Sequence, residues 1–307
     1  MITSIFSKSK PINFIIVFLI AGFAFFMGYL KFVNEPVTFQ SIYKQGALFF
    51  ICYISILILN FVVSKNGLTK NSNYEILLFS LFLLAISRTT QNIDILVSNF
   101  FVLLGLRRLI SVRSQIKLNK KLFDAAFWFT IAALFYFWAI LFFGLIIIAL
   151  VLYTDNKLNH WIIPFIGVLT VFALTVSFSI ILYNGYFDAF YSLPEVSYDF
   201  SNYNSPAYIT VMTILLSFGV WSLIFYTKNI KQKKKTLRPS FSIILFSFVV
   251  GFLIVVFAPN KDGSEFLFMF APLAIVITNY IEVIKEKWFK EIFLLVLIAV
   301  PFIALLL

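Results

Sequence analysis

Charged side chains that could perform chemistry are few in this sequence, and they occur in short polar segments between long apolar runs. Glu35 follows the first apolar run, Arg88 and Asp94 flank the segment RTTQNID, and Lys261 and Glu265 belong to PNKDGSE. A carboxylate such as Glu35 could act as a general base toward a hydroxyl group. An Arg or Lys nearby could bind a phosphate. The candidate catalytic residue is therefore Glu35, and the candidate substrate-binding residues are Arg88, Asp94, Lys261 and Glu265.

Each of these groups also has a structural interpretation that the sequence leaves open. Glu35 could be a solvated loop residue, and Arg88 could form an ion pair with Asp94 or extend its charged head to the membrane surface. The PNKDGSE turn has the same ambiguity. The loop 183–206 contains five tyrosines, which could stack on sugar rings or belong to an interfacial aromatic belt.

The composition indicates an all-α, polytopic integral membrane protein. Of the 307 residues, 62% are hydrophobic and 12% are charged, whereas soluble domains carry about 25% charged residues. Lipid removes the need for a polar surface, and no segment has the sustained alternation of a transmembrane β-strand. No polar stretch is long enough to fold independently, so we expect residues 1–307 to form a single transmembrane domain without a soluble domain.

Several functional classes are excluded or disfavoured by what the sequence lacks. One cysteine and one histidine, Cys52 and His160, cannot build a His/Cys zinc site within the chain. Nucleotide-binding and hydrolase motifs are absent, and we predict no metal and no cofactor. The net charge of +11 belongs to loops beside apolar segments, so a nucleic-acid partner is not expected. No charged chain is predicted in a segment core, which argues against an ion-coupled pump.

Apolar segments recur along the whole chain, at about 12–32, 46–63, 74–87, 94–110, 122–153, 161–182, 207–227, 240–258, 265–281 and 291–307. The fifth is too long for one upright crossing, because a 30-residue helix reaches about 45 Å against a hydrocarbon thickness of about 30 Å. It is either one strongly tilted helix or a short hairpin of two helices. A hairpin half would be too short to face lipid along its length, so we expect neighbouring helices to surround much of it.

The positive charges choose between these two alternatives. With a hairpin at 122–153, 20 of the 24 Lys and Arg residues lie on one side of the membrane; with a single helix, the split is 11 against 13. The positive-inside rule favours the hairpin. The predicted topology has about 11 membrane segments, with the N-terminus cytoplasmic and the C-terminus on the outer side. A re-entrant loop would give the same parity, so a full hairpin and a re-entrant loop both stay open.

Three stretches resemble a known family. They are the opening MITSIFSKSKPIN, the run from NFF to LRR at 99–108, and KLFDAAFW at 121–128. They resemble an uncharacterised multi-pass inner-membrane protein family of Bacteroidota, of the Flavobacterium type. The resemblance covers the whole chain, implies a bacterial inner-membrane location, and carries no activity with it.

The layout is distantly similar to that of membrane C-type glycosyltransferases. These enzymes have a catalytic acidic loop after the first helix, a compact hairpin before helix seven, and then a large outer loop. The corresponding parts here are 33–45, 122–153 and 183–206. In that superfamily an acidic residue of the first outer loop is the base or a metal ligand, and Glu35 is the residue that could match it. The short first loop, which lacks the usual acidic pair and amphipathic helices, leaves an inactive or repurposed relative open.

This resemblance implies a glycosyltransferase that uses a polyprenyl-phosphate-linked sugar, or an accessory to cell-envelope glycan synthesis, at the outer (periplasmic) face of the inner membrane. Membrane lipids are then expected partners. The alternative is a non-enzymatic scaffold or subunit that packs against other membrane proteins. Whether the protein is an enzyme is left open by the sequence.

Overall fold

A computed structural model describes residues 2–33, 38–153, 158–187 and 196–307 of the chain. Within these ranges the regular secondary structure is helical, without strands, which confirms the predicted all-α class. The α-helices are α1 Ile2–Phe6, α2 Pro11–Phe32, α3 Phe39–Asn66, α4 Tyr74–Ala85, α5 Ile93–Ser111, α6 Leu118–Phe135, α7 Gly144–Tyr153, α8 Leu158–Tyr183, α9 Pro206–Gln232, α10 Arg238–Phe257, α11 Leu267–Val283 and α12 Lys287–Leu306.

Local sequence signals explain several of the helix boundaries. Thr38 and Ser41 form a capping box at the start of α3, and that helix ends at Gly67, which has the left-handed φ of 61° common at helix ends. The Ser205 side chain accepts a hydrogen bond from the Tyr208 amide at the start of α9, where Pro206 occupies the first turn. The polar segments between the apolar runs therefore stop and start the helices.

Eight helices in the described ranges are long and apolar enough to cross a membrane. They are Pro11–Phe32, Phe39–Asn66, Ile93–Ser114, Leu158–Tyr183, Pro206–Gln232, Arg238–Phe257, Ser264–Val283 and Lys287–Leu306. Two shorter apolar helical segments, Tyr74–Ala85 and Phe137–Tyr153, accompany them. The chain is thus a multi-pass membrane protein, and the number of 11 segments stays a prediction.

The core of the bundle is built around two helices, α4 and α11. Every residue from Tyr74 to Leu84 is buried, as is every residue from Leu267 to Ile281. The two helices pack through aromatic rings, with the Phe270 centroid 6.1 Å from that of Phe79 and 5.6 Å from that of Phe82. Helices α2, α3, α9, α10 and α12 pack around this pair. Both helices are apolar on nearly all sides, as a helix enclosed by other helices can be.

The segment 122–153 is broken in the middle. Helix α6 ends at Phe135, Tyr136 is extended with φ −143° and ψ 106°, and a 3₁₀ helix at Phe137–Phe143 leads into α7. The chain reverses direction at this extended residue. The Phe129 ring of α6 and the Phe142 ring of the 3₁₀ helix stack on each other, with centroids 5.9 Å apart.

The two ends of this segment also meet. The Gln115 side chain, just before α6, donates a hydrogen bond of 3.2 Å to the carbonyl of Tyr153 at the end of α7. The segment is therefore a hairpin and not one tilted helix. Helix α6 packs between α5 and α8, and α7 packs against α10, so neighbours cover much of both halves as expected.

The loops gather at two opposite ends of the bundle. We call the end that carries 66–73, 112–117, 233–237 and 284–286 the basic end. There the Arg113 side chain donates to the Asn66 carbonyl at 2.9 Å, and the Lys70 amide donates to Glu282 at 2.8 Å. We call the other end, which carries 86–92 and 258–263, the Arg88 end. These are the two groups of loops that the charge count places on opposite sides of the membrane.

Candidate functional site

Arg88 forms an ion pair with Asp262 at the Arg88 end. Its Nε lies 3.3 Å from Oδ2 of Asp262, and its guanidinium carbon lies 4.9 Å from the centre of the Phe32 ring. Both charged side chains are partly exposed. The pair joins the 3₁₀ turn Ser87–Thr90 to the turn between α10 and α11. The alternative partner considered from the sequence, Asp94, is exposed on the first turn of α5.

Helix α2 holds the turn of Arg88 from one side. A Cβ at Gly28 would lie 2.5 Å from Thr90 Oγ1 and 2.8 Å from the Ser87 carbonyl oxygen. Only a glycine allows this close approach of the helix backbone to the turn. Gln45 of α3 also reaches the turn, donating a 2.9 Å hydrogen bond to Gln91. Arg88 is therefore positioned by α2 and α3 as well as by its own segment.

Asp262 is fixed by its own turn. Its Oδ1 accepts hydrogen bonds from the amide and hydroxyl of Ser264, and its carbonyl accepts from the Tyr208 hydroxyl at 2.9 Å. Gly263 follows with φ 97°, and a Cβ there would lie 2.5 Å from the Tyr208 hydroxyl oxygen, so both conformation and space require glycine. This turn holds the carboxylate in place for Arg88.

Lys261 has a structural environment that differs from the predicted phosphate ligand. Its Nζ donates to the carbonyls of Val255, Val256 and Ala258 at 3.1, 2.6 and 3.2 Å, and it lies 4.4 Å from the centre of the Phe200 ring. The residue is 1% exposed, and burial lowers the pKa of its ammonium group. An ammonium group has three protons to donate, and all three are used on the C-terminal carbonyls of α10. No donor is left for a phosphate.

Glu265 is also committed to the turn. It is 1% exposed, and both carboxylate oxygens accept from the Gly263 amide at 3.1 and 3.2 Å. Of the predicted substrate-binding residues, Lys261 and Glu265 are buried in the turn before α11, and Asp94 is exposed on α5. Arg88 is partly exposed. Glu35, the predicted catalytic residue, lies outside the described residues.

A cavity of about 210 Å³ lies beside Arg88. It is enclosed by the ends of α2, α4, α9 and α12. Lys31 and Arg88 supply positive charge to its wall, and Tyr208 supplies a further polar group. Leu84 and Ala304 are among the apolar residues that complete the wall. This arrangement can bind an anionic group attached to an apolar molecule.

Sequence reasoning did not assign Lys31, Asp262 or Tyr208 to this site. Asp262 stands beside Lys261 in PNKDGSE, so the sequence identified the acidic turn that contains it. The sequence could not show which acidic residue of this turn pairs with Arg88. Tyr208 follows the tyrosine-rich loop, and Lys31 is the last basic residue of the first apolar run. Lys31 and Tyr208 reach the cavity because the ends of α2 and α9 come together there.

A buried acidic residue that the sequence interpretation did not single out lies at the start of the apolar run 74–87. Glu75, in the first turn of α4, is 0% exposed, and neither of its carboxylate oxygens has a hydrogen-bond partner among the described residues. The hydropathy of the segment does not reveal Glu75, because the residues that follow it are apolar. A buried carboxyl group without a hydrogen-bond partner is costly wherever it lies in the fold.

Long apolar helices around a buried core, with clusters of charged residues at the two ends of the bundle, define a polytopic helical membrane protein. The chain belongs to the family of unknown function DUF6427, which matches residues 1–305. No curated protein and no solved structure matches the chain.

Proposed function

We propose that this protein binds the phosphate group of a lipid-linked substrate at the Arg88 end. The observation that supports the proposal is the position of Arg88 on a cavity with a second cation, Lys31, and an apolar wall. Within the described part of the chain, the Arg88 hydrogen bond uses Nε, which leaves the two terminal nitrogens for a ligand. A guanidinium group binds phosphate oxygens with two parallel hydrogen bonds.

The cavity is of a size to bind the headgroup of a lipid and not the whole lipid molecule. Its volume of about 210 Å³ is below the ~300–1,000 Å³ of pockets that enclose drug-sized molecules. The phosphate would enter it, while a long hydrocarbon chain stays in lipid along the apolar helices. A polyprenyl phosphate has this combination of an anionic head and a long apolar chain.

The proposed orientation places the Arg88 end on the periplasmic face of a bacterial inner membrane, with the N-terminus cytoplasmic, the C-terminus periplasmic and 11 segments. The Lys- and Arg-rich loops at the basic end support this orientation, because such loops are retained in the cytoplasm. A phosphate site at the Arg88 end would then face the compartment in which envelope glycans are assembled.

The proposed reaction is sugar transfer from a polyprenyl-phosphate-linked sugar. An acceptor hydroxyl oxygen would form a bond to the anomeric carbon, and the bond from that carbon to the phosphate oxygen would break with its electron pair on the phosphate. Asp262 already pairs with Arg88, and Glu265 is buried in its turn. Glu35 stays the candidate to accept the hydroxyl proton because it is the acidic residue that the layout of C-type glycosyltransferases would match, while Arg88 stabilises the phosphate that leaves.

Binding of a polyprenyl phosphate to the protein in neutral-lipid nanodiscs tests the first step. The variant Arg88→Gln should bind about 10-fold more weakly or worse, since a charge-assisted hydrogen bond contributes about 1.5–3 kcal/mol. Lys44→Gln removes an exposed positive charge of α3 that does not line the cavity, and it should bind as the unmodified protein does. Equal affinity of the Arg88→Gln variant and the unmodified protein would reject the site.

A second variant, Glu35→Gln, separates an enzyme from a binding protein. Transfer should be lost while binding of the polyprenyl phosphate is kept. If neither variant changes binding or envelope glycan synthesis at equal membrane levels, the alternative of a non-enzymatic scaffold or subunit of an envelope complex is favoured.

A further inference from the structure

A larger cavity, of about 520 Å³, opens at the basic end. It lies between the loop 68–72, the end of α9 and the linker from α11 to α12. The polar residues of its wall are Lys70, Asn229, Gln232, Lys233, Asn279, Glu282 and Lys285. It is at the opposite end of the bundle from Arg88, so it is a separate site.

The single carboxylate of this wall is held by neutral donors. Glu282 accepts hydrogen bonds from the Lys70 amide at 2.8 and 2.9 Å and from the Ser72 hydroxyl at 2.5 Å. In the described ranges, no ammonium group lies within ion-pair distance of it. The carboxylate therefore fixes the loop without neutralising a lysine at close range.

Three lysines share the cavity wall with this one carboxylate: Lys70, Lys233 and Lys285. The wall carries a net charge of about +2 if all four groups are ionised. Lys233 is the most confined of the three: burial lowers its pKa, with the charge of Glu282 opposing the shift, and its Nζ lies 4.9 Å from the Phe241 ring. A partly desolvated cation is stabilised by an anion beside it.

We infer that this cavity binds a phosphate group. The ammonium groups would neutralise it, and the side-chain amides of Asn229 and Gln232 would donate further hydrogen bonds. Val283 and Ile284 complete the wall beside the helix ends. In the proposed orientation these helix ends would lie at the level of lipid headgroups. The phosphate belongs to an anionic phospholipid or to a free phosphate compound in the solution at this end.

Lysines at the basic end offer two variants for the test. Lys233→Gln with Lys285→Gln removes two charges from the cavity wall, one in the loop between α9 and α10 and one in the linker between α11 and α12. Lys234→Gln with Lys235→Gln removes two exposed charges of the loop between α9 and α10 that do not line the cavity. Both double variants change the net charge of the protein equally, and size-exclusion chromatography in detergent checks that each is folded.

Two arms of the experiment distinguish the sources of the phosphate. In the lipid arm, the affinity for phosphatidylglycerol in a phosphatidylcholine background is measured by native mass spectrometry. In the soluble arm, inorganic phosphate is titrated calorimetrically into the protein in phosphatidylcholine nanodiscs. Binding to the unmodified protein in the first arm assigns a lipid headgroup, and binding in the second alone assigns a free phosphate.

The cavity variant should lose about 30-fold in affinity in whichever arm binds, and the control variant should stay within about 2-fold of the unmodified protein. An equal loss in the two double variants would mean that the general positive charge of the basic end attracts the anion, and it would overturn the proposal. Absence of binding in both arms would overturn it as well. The comparison of the two double variants does not depend on the Arg88 site, since neither variant changes that site.

Discussion

Arg88 and Asp262 form an ion pair although 174 residues separate them in the sequence. Nε of the arginine and Oδ2 of the aspartate are 3.3 Å apart. The contact joins the turn after the buried helix α4 to the turn before the buried helix α11. The two central helices of the bundle are thus connected at their ends by the same charged residue that lines the proposed phosphate site.

Replacing Asp262 should weaken the fold mainly through its turn. The partly exposed ion pair itself contributes about 0–1 kcal/mol, whereas Asp262→Ala also leaves the buried Ser264 without its acceptor. We expect a loss of about 1–2 kcal/mol in the free energy of unfolding. Urea or thermal unfolding in detergent measures it. The exposed Asp94→Ala should lie within about 0.5 kcal/mol of the unmodified protein; an equal loss in both variants would contradict the assigned role.

Lys261→Met should destabilise the protein strongly, because three carbonyls at the end of α10 lose their donor. We expect a loss of about 3 kcal/mol, against less than about 0.5 kcal/mol for the exposed Lys44→Met at the same end. Thermal unfolding in one detergent compares the two variants. A stable Lys261→Met variant would mean that the ammonium group is available for a ligand after all.

The pH dependence of stability should also report on Lys261. Its pKa is lowered in the folded state from the ordinary value of 10.5, so the unfolded chain binds more protons in the window just below 10.5. The free energy of unfolding contributed by this group therefore rises with pH across that window. The slope should be smaller in Lys261→Met than in the unmodified protein. Unfolding curves between neutral and alkaline pH give the slopes, and identical slopes would show that burial does not affect this lysine.

The sidedness of the loops can be checked with reporter fusions. Fusions at the basic end should report the cytoplasm, and those at the Arg88 end and in the tyrosine-rich loop should report the outer side. Suitable positions are Asn66, Gln115, Asn229 and Lys287 for the first group, and Gln40, Asn202 and Gly263 for the second. An outer reading at Asn229 would mean that 122–153 crosses the membrane once, which would contradict both a full hairpin and a re-entrant loop.

Glu75→Gln should fold at least as well as the unmodified protein. The substitution keeps the side-chain shape and removes an ionisable group that is 0% exposed and has no hydrogen-bond partner in the described ranges. We expect the free energy of unfolding to rise by about 1 kcal/mol. Glu286→Gln, at an exposed position, is the control and should be neutral. A marked loss of stability at position 75 would reveal a partner for the carboxyl group, such as a bound ligand.

The sequence by itself determined the class of the protein and the break at 122–153. Hydropathy identifies helices because lipid requires every backbone polar group to be satisfied within a segment. Charge identified the hairpin because positive loops stay on one side of a membrane. Neither signal depends on which helices are neighbours, and so both can be read along the chain.

The tertiary structure decided which of the apolar helices is central and which charged residues meet. Helices α4 and α8 are both strongly apolar, yet α4 is enclosed by other helices while much of α8 is exposed. Apolarity alone cannot separate them, because lipid and protein interior favour the same side chains. Arg88 pairs with Asp262 and not with the nearby Asp94 for a related reason. Partners for charged groups are set by which helix ends come together in space, and that depends on the packing of the whole bundle.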